Sequence, residues 1–393
     1  MNKRRIKNEC DNHNRALSAV RHRGFFSVER FLNFSAGNLL INGGSVQDRI
    51  FVIKKEIVRT KSTSREPVIV FSNNSFLQDG LIELVNIGDI GRLFVCSQDY
   101  KFYDFFRNMQ PNLISDYFSM LAQEKGYRDT SELHDYIGAF LNTLKSQADI
   151  NLSSIKAFLQ NSDADIANAA RSNGNDADCE IILASGRGGV NFRRLVSMVG
   201  NAFETLTVDN CSTGFNINSI TDKNCVLYIN TNTCGYEFLG LYFLQELKQC
   251  IGKSFTLVFD DCLLLNNNEL MSFLNVLKQR GNVKVLLSTE NIMSLPSEKK
   301  LSDFSGEIVF LNGTAPAHDI QAVLSDMGEY SHFEVTSSSG TPPKLFFSFL
   351  RTENRGITPY SRAKVLLEEE YGNAAVLRGH RGAEILVVKK LVF

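Results

Sequence analysis

One short segment, residues 38–71, restricts the possible folds more than any other part of the chain. Its first four residues, 38–41, form an apolar run that is typical of a buried parallel strand. Two glycines then turn the chain, and apolar residues follow at roughly helical spacing: Ile50, Val52, Ile53, Ile57 and Val58. Pro67 ends the helical pattern, and residues 68–71 have the β-branched composition of a second strand. The segment therefore predicts a βαβ unit.

The turn of this unit lies where a phosphate-binding P-loop, G-x-x-x-x-G-K-[ST], would lie. Gly43 matches the first glycine and Gly44 follows it, but Asp48 replaces the second glycine, Arg49 the lysine and Ile50 the hydroxyl residue. A carboxylate repels phosphate, an arginine fork is not equivalent to a lysine ammonium, and isoleucine has no oxygen for Mg²⁺. We therefore expect a degenerate nucleotide site without productive binding. The alternative is an ordinary βα turn that never held phosphate.

Composition excludes several classes of protein. The 393 residues allow two or three domains, and a hydrophobic content of 43% is enough for a sizeable core. A net charge of −1 gives no overall attraction to nucleic acid or membranes. The eight cysteines show no C-x-x-C or zinc spacing, so we expect no metal site and a reducing, cytoplasmic location. No apolar run approaches the ~20 residues of a membrane span, and no signal peptide is recognisable.

Residues 1–36 form a basic N-terminal arm that begins with Lys3, Arg4, Arg5 and Lys7. Such an arm can contact nucleic-acid phosphates or an anionic membrane. A solvated chain terminus is the simpler interpretation, and we favour it.

The rest of the chain divides by its periodicity. Residues 37–110 and 179–350 alternate strand and helix patterns, which predicts an α/β fold with a mostly parallel sheet flanked by helices. Residues 111–178 show only helical spacing, so we expect an inserted all-α domain there, and residues 351–393 predict a helix and a hairpin. The GRGG run at 186–189 favours a turn over a phosphate loop. A lone histidine, His134, is expected to be a surface or packing residue.

A second candidate site follows the apolar run 257–259, which ends in Asp260 and Asp261. This is the form of a Walker B strand, in which the first acid holds Mg²⁺ through water and the second polarises the attacking water. Acids at a strand end are more often a cap or a turn. The pair becomes informative because it follows a P-loop-like turn in an α/β chain.

These parts, in this order, resemble the TraG/TraD-type conjugative coupling proteins, which belong to the FtsK/HerA branch of RecA-like ATPases. The predicted strand 283–288 is followed by Glu290, where the family has a sensor glutamine, and by Leu295 at the family's leucine. The preceding Arg280-Gly281 and Thr358-Pro359 in the tail are also similar to family segments. The resemblance covers residues 37–393. It implies a RecA-like P-loop NTPase fold with an inserted all-α domain.

The departures from the family pattern are concentrated at functional positions. Besides the altered P-loop, Glu290 would bring a negative charge near a γ-phosphate, and Asn73-Asn74 replaces the Asp and Pro-Lys typical of the family. The resemblance therefore implies a pseudo-ATPase with vestigial catalytic positions at Asp260, Asp261 and Glu290. We expect no cofactor, or ATP and Mg²⁺ if the P-loop is functional.

The resemblance also implies a function and partners. We expect a receptor or scaffold that recruits DNA and relaxase, or protein cargo, to a conjugation or type IV secretion apparatus. It would be cytoplasmic, at times peripheral to the inner face of the membrane, and would form homo-oligomers or hetero-oligomers with an active ATPase; single-stranded DNA is a further candidate partner. One alternative is an active, divergent DNA-translocating ATPase. Another is a nucleic-acid or membrane module that acts through the basic arm.

Overall fold

The structure is a computed structural model that describes residues 37–128, 130–207, 214–221, 224–231, 236–290, 304, 306–310, 333–336, 350–353, 375–379 and 382–386. By their contacts the residues group into two units. The first comprises Met1–Glu56, Ser288–Ser294 and Phe304–Phe393, and the second comprises Ile57–Leu287 and Leu295–Asp303. Each unit is described separately below.

In the described part of the chain, strands and helices alternate near the N-terminal end and again after the helical middle. The strands are β1 Leu39–Asn42, β2 Val68–Ser72, β3 Leu93–Cys96, β4 Val226–Asn230, β5 Phe255–Asp260, β6 Val283–Thr289, β7 Gly306–Phe310, β8 Phe333–Thr336, β9 Leu350–Glu353, β10 Ala375–Gly379 and β11 Gly382–Leu386. The helices are α1 Val46–Thr63, α2 Ser75–Asn86, α3 Pro111–Glu124, α4 Ser131–Lys145, α5 Leu152–Phe158, α6 Asp163–Ser172, α7 Asp176–Ala184, α8 Gly186–Phe203, α9 Ile217–Ile220, α10 Tyr236–Gln249 and α11 Asn268–Arg280, with a 3-10 turn at Leu263–Asn266.

The second unit contains strands in the order β3-β4-β2-β5-β6. The pairs β3–β4, β2–β4 and β2–β5 are parallel, and Ser72 is in register with both Asn230 and Asp260. Strands β2 and β5 are buried along their whole length. A sheet buried on both faces requires apolar residues at successive positions, which explains the continuous runs VIVF and FTLVF.

The first unit contains β1, which pairs in parallel with β7, and β10, which pairs antiparallel with both β7 and β11. The register Gly379↔Gly382 closes β10 and β11 into a hairpin, as the tail sequence predicts. Strands β8 and β9 form a separate antiparallel pair. The first unit thus combines a parallel pair, β1 and β7, with the antiparallel pairs that β10 forms.

The middle of the chain is all-helical. Six helices follow one another from α3 to α8, and their ends carry the expected signals: Pro111 opens α3, Gly126 with a φ of 80° follows α3, and Asn151 forms a capping box with Ser154. The helices continue past the predicted boundary at residue 178. The division of the chain into domains remains a prediction.

Aromatic rings connect the sheet of the second unit with these helices. Phe71 on β2 lies 4.8 Å, between ring centroids, from Phe243 on α10. Its neighbour Tyr242 lies 5.2 Å from Phe106, which lies 5.5 Å from Phe118 on α3. These ring contacts pack α3 and the preceding loop against α10, and α10 against β2 of the sheet.

The predicted α/β class with a parallel sheet flanked by helices is confirmed, and the strands predicted at 38–41, 68–71 and 283–288 are found within one residue of these positions. The turn predicted at residues 186–189 is wrong, because these residues begin α8. A Cβ added at Gly188 would lie 2.9 Å from the carbonyl oxygen of Glu132 on α4, so the glycine allows close helix packing. The helix predicted in the tail, residues 351–393, lies outside the described residues.

Candidate functional site

The turn after β1 has the tight backbone that its two glycines predict. Gly43 and Gly44 are buried and have φ values of 76° and 73°, a region that only glycine adopts without strain. The N–H of Gly43 donates to the carbonyl oxygen of Thr289 at the end of β6, at 3.0 Å. The turn is therefore held by the backbone of the first unit and directs the chain into α1.

Helix α1 begins at Val46, inside the segment that would form the phosphate loop. Ser45 precedes the helix and exchanges hydrogen bonds with Asp48: its N–H and its hydroxyl donate to Asp48 Oδ2 at 3.0 and 2.7 Å, and the N–H of Asp48 donates to Ser45 Oγ at 3.2 Å. This is a reciprocal cap of the kind that stabilises helix starts. The carboxylate of Asp48, which is 2% exposed, thus occupies the positive end of the helix dipole.

Arg49 does not extend into solvent as a phosphate ligand would. Its side chain is 1% exposed, and its Nη1 donates to the carbonyl oxygens of Gly44 at 3.0 Å and Gly43 at 3.5 Å. The guanidinium therefore binds the back of the turn. Ile50, at the position of the hydroxyl residue, is packed in the core.

The acidic end of β5 lies in the second unit, at the carboxyl edge of its parallel strands. Asp260 is 2% exposed, and the hydroxyl of Ser72 on β2 donates to its Oδ2 at 3.0 Å. Asp261 is exposed and has a φ of 41°, an unusual value for a residue other than glycine. The two acids therefore differ in environment: one is buried and hydrogen-bonded, and the other is turned towards solvent.

Polar residues from neighbouring strands complete this edge. The Asn73 amide donates to the carbonyl oxygen of Asp261 at 3.3 Å and accepts from the hydroxyl of Thr231. Thr231 Oγ1 lies 3.4 Å from Cys262 Sγ, and burial raises the pKa of the Cys262 thiol to about 12, so the thiol is neutral. Sequence reasoning missed Ser72, Thr231 and Cys262. Their position could have identified them: Ser72 ends β2, Thr231 directly follows β4 and Cys262 lies two residues after β5, at the edge where α/β sheets bind ligands.

The remaining predicted site residues are separated from these two groups. Glu290 follows β6, is exposed and belongs to the first unit with the turn. The basic residues Lys3, Arg4, Arg5 and Lys7 lie outside the described residues. His134 is a surface residue, 3.6 Å from the carboxylate of Asp116, as expected.

In this turn, the groups at the P-loop positions have partners within the protein. Asp48 accepts hydrogen bonds from Ser45 at the start of α1, Arg49 donates to main-chain carbonyls, and Ile50 offers no oxygen ligand for Mg²⁺. Over the described part of the chain, no three His, Cys, Asp or Glu side chains lie close enough together to hold a metal ion. Within the same residues, no helix is both long and apolar enough to cross a membrane.

The parallel strands and the helices that flank them define an α/β fold. Among solved structures the chain is similar to the conjugative coupling protein TrwB. The unbound monoclinic form of TrwBdeltaN70 is 12% identical, with 91% of this chain and 85% of that chain covered and a TM-score of 0.54. TrwB in complex with ADP and Mg²⁺ is 11% identical, with 91% and 86% covered and a TM-score of 0.50.

VirB4 of Thermoanaerobacter pseudethanolicus also matches, at 10% identity with 73% of this chain and 80% of that chain covered, but its TM-score of 0.46 is too low to support an argument. No family model matches the sequence, and no curated protein matches it. At identities this low the likeness shows the fold alone. It confirms the coupling-protein fold that the order of sequence motifs implied.

Proposed function

We propose that this chain is a coupling-protein-like receptor or scaffold that does not hydrolyse ATP and that recruits DNA and relaxase, or protein cargo, to a conjugation or type IV secretion apparatus. The supporting fold comparison is the TM-score of 0.54 to TrwBdeltaN70 over 91% of the chain. The observation that carries the loss of catalysis is the Asp48 carboxylate bound to Ser45 at the start of α1.

Electrostatics supports the proposed loss of nucleotide binding. A phosphate about 4 Å from a carboxylate is repelled by about 4 kcal/mol at an effective dielectric constant near 20. The helix start already has an anionic partner in Asp48, so its dipole and N–H groups offer little to a second anion. The positive charge of Arg49 stabilises the turn itself through Gly44. All three features disfavour the binding of a nucleotide phosphate.

The proposed role also implies functions for the other elements of the molecule. The helices between α3 and α8 would recognise cargo, and the sheet units would mediate assembly with further copies or with an active ATPase. The vestigial positions Asp260, Asp261 and Glu290 would not act in catalysis. The protein would work in the cytoplasm or at the inner face of the membrane, next to the secretion machinery.

Nucleotide binding to the purified full chain tests this proposal. We expect isothermal titration with millimolar ATP and Mg²⁺ to give no saturable heat, while thermal unfolding shows that the sample is folded. Saturable binding with a micromolar dissociation constant, displaced by ADP and weakened by Arg49→Gln, would refute the proposal. Asp48→Asn is a matched variant, because it removes the repelling charge and keeps a side chain that can cap the helix.

An active, divergent ATPase is the second candidate, and the environment of Asp260 favours it. Asp260 is a buried carboxylate at the end of a parallel strand, where a Walker B acid that helps to hold Mg²⁺ would lie, and Ser72 donates to it. Phosphate release measured with and without single-stranded DNA separates the two candidates. Release that DNA stimulates and that Asp261→Asn abolishes would establish the active enzyme. Release that Asp261→Asn leaves unchanged would exclude this site as its source.

A further inference from the structure

A groove of about 300 Å³ runs between α5 and α8 in the all-helical part of the second unit. Its polar lining includes Lys156 and Gln160 on one side and Ser197 and Asn201 on the other. Within the described residues, none of these four side chains has a hydrogen-bond partner, so their polar atoms are available to a ligand. The floor of the groove is apolar.

The groove has cationic lining residues, one of which is paired with Asp163 beside it. Its two charged lining residues, Lys156 and Arg193, are both cationic. Arg193 is fixed in place, because its Nε donates to the carbonyl oxygen of Leu159 at 3.3 Å and its Nη2 donates to Asp163 Oδ1 at 2.7 Å. A guanidinium held in this way loses little conformational freedom when it binds an anionic group.

Gly200 provides a second, independent indication of a built site. A Cβ added to this residue would lie 2.3 Å from Cε and 2.4 Å from Nζ of Lys156. Glycine is a poor helix former, yet at this position in α8 it leaves space for the lysine side chain to lie across the helix. The sequence thus keeps Lys156 over the groove at the expense of helix propensity.

We propose that the α5–α8 groove, formed by these residues, binds an acidic and apolar peptide segment of a protein partner, with a carboxylate on Lys156 and Arg193. Leu159 and Val196, which are 8% and 3% exposed, provide an apolar floor that suits an aliphatic side chain next to the acid. Nucleic acid fits less well, because a phosphate backbone needs an extended basic surface, whereas the groove has two cationic lining residues. This inference rests on the recruiting role proposed above and specifies the chemistry of the recruited partner.

Peptide selection followed by direct binding tests the inference without nucleotide. A random peptide library displayed on phage is selected against the immobilised full chain and, in parallel, against Lys156→Ala. Peptides enriched only by the wild type should be rich in Asp and Glu next to aliphatic residues. Fluorescence anisotropy with one such peptide should show about tenfold weaker binding to Lys156→Ala. Replacement of the peptide's acids by their amides should weaken binding similarly.

Arg194→Gln is the matched control, because it removes one positive charge from the same helix at an exposed position outside the groove. It should retain full affinity. Gly200→Ala should weaken binding although it raises the melting temperature, a combination that general destabilisation cannot produce.

Three results would overturn the inference: no enrichment of acidic peptides, equal losses in Lys156→Ala and Arg194→Gln, or an oligonucleotide that displaces the peptide and itself requires Lys156. ATP binding by the wild type would refute only the proposed loss of nucleotide binding, so the two failures are distinguishable.

Discussion

Glu246 on α10 gives the most specific prediction about stability. Its side chain is almost fully buried, the hydroxyl of Tyr103 donates to its Oε2 at 2.5 Å, and the N–H of Asn218 donates to its Oε1 at 3.3 Å. Burial raises the pKa of Glu246 from 4.5 to about 7, and the hydrogen bonds from Tyr103 and Asn218 oppose this only in part. A carboxyl group in this position titrates near neutral pH.

The sign of the effect follows from proton linkage. Between about pH 4.5 and pH 7 the folded state holds a proton on Glu246 that the unfolded state has lost, so the free energy of unfolding falls as pH rises. Because one pKa unit corresponds to about 1.4 kcal/mol, the loss that is complete above pH 7 amounts to about 3 kcal/mol. Burial also raises the pKa values of Asp104 and Glu124, which adds slope of the same sign.

Glu246→Gln isolates the contribution of this one group. Chemical denaturation of both proteins from pH 5 to pH 8 should show a wild-type free energy of unfolding that falls by about 2.5 kcal/mol more than that of the variant. Glu204→Gln, the same change at an exposed residue, should keep the wild-type slope. If Glu246→Gln shows the same pH dependence as the wild type, the assignment of a raised pKa to a buried Glu246 is wrong.

Three further predictions concern packing, capping and the strand edge, and thermal or chemical unfolding tests each. Gly188→Ala should destabilise by about 1–3 kcal/mol because its Cβ would meet the backbone of α4, whereas Gly138→Ala, in open space on a helix, should stabilise by up to about 1 kcal/mol; equal effects would contradict the packing argument. Asp48→Ala should cost about 1 kcal/mol through loss of the cap at α1, and an unchanged midpoint would show that the cap is unimportant. Ser72→Ala should cost about 1–3 kcal/mol because it removes a buried donor to Asp260, and a Ser72→Thr variant should recover most of this loss.

The sequence predicts the fold well because the burial of each strand determines where its apolar residues occur. Strands such as VIVF and FTLVF are apolar at every position, and only a sheet covered on both faces requires this. The GRGG run was misassigned because glycine signals a turn locally, whereas the contact of Gly188 with α4 is a tertiary constraint that no local rule contains. The same limit applies to the carboxyl ends of the strands. The residue type of Asp260 identifies it as a candidate, but its partner Ser72 is 188 residues away in sequence, so local rules do not predict their contact.

The sequence shows which residues of the turn after β1 differ from the P-loop pattern, but it does not predict their conformation. The replaced residues were visible, but only the structure shows that they support one another: Asp48 exchanges hydrogen bonds with Ser45, and Arg49 donates through its side chain to Gly44 and through its N–H to Ser45. A phosphate loop in this place would require the first turn of α1 to unwind, and these hydrogen bonds would be lost together. Restoring a single residue, such as Arg49→Lys, would therefore leave a capped helix rather than a phosphate site. The residues at these positions are best explained as a cooperative helix start, whose hydrogen bonds oppose the unwinding that a phosphate loop would require.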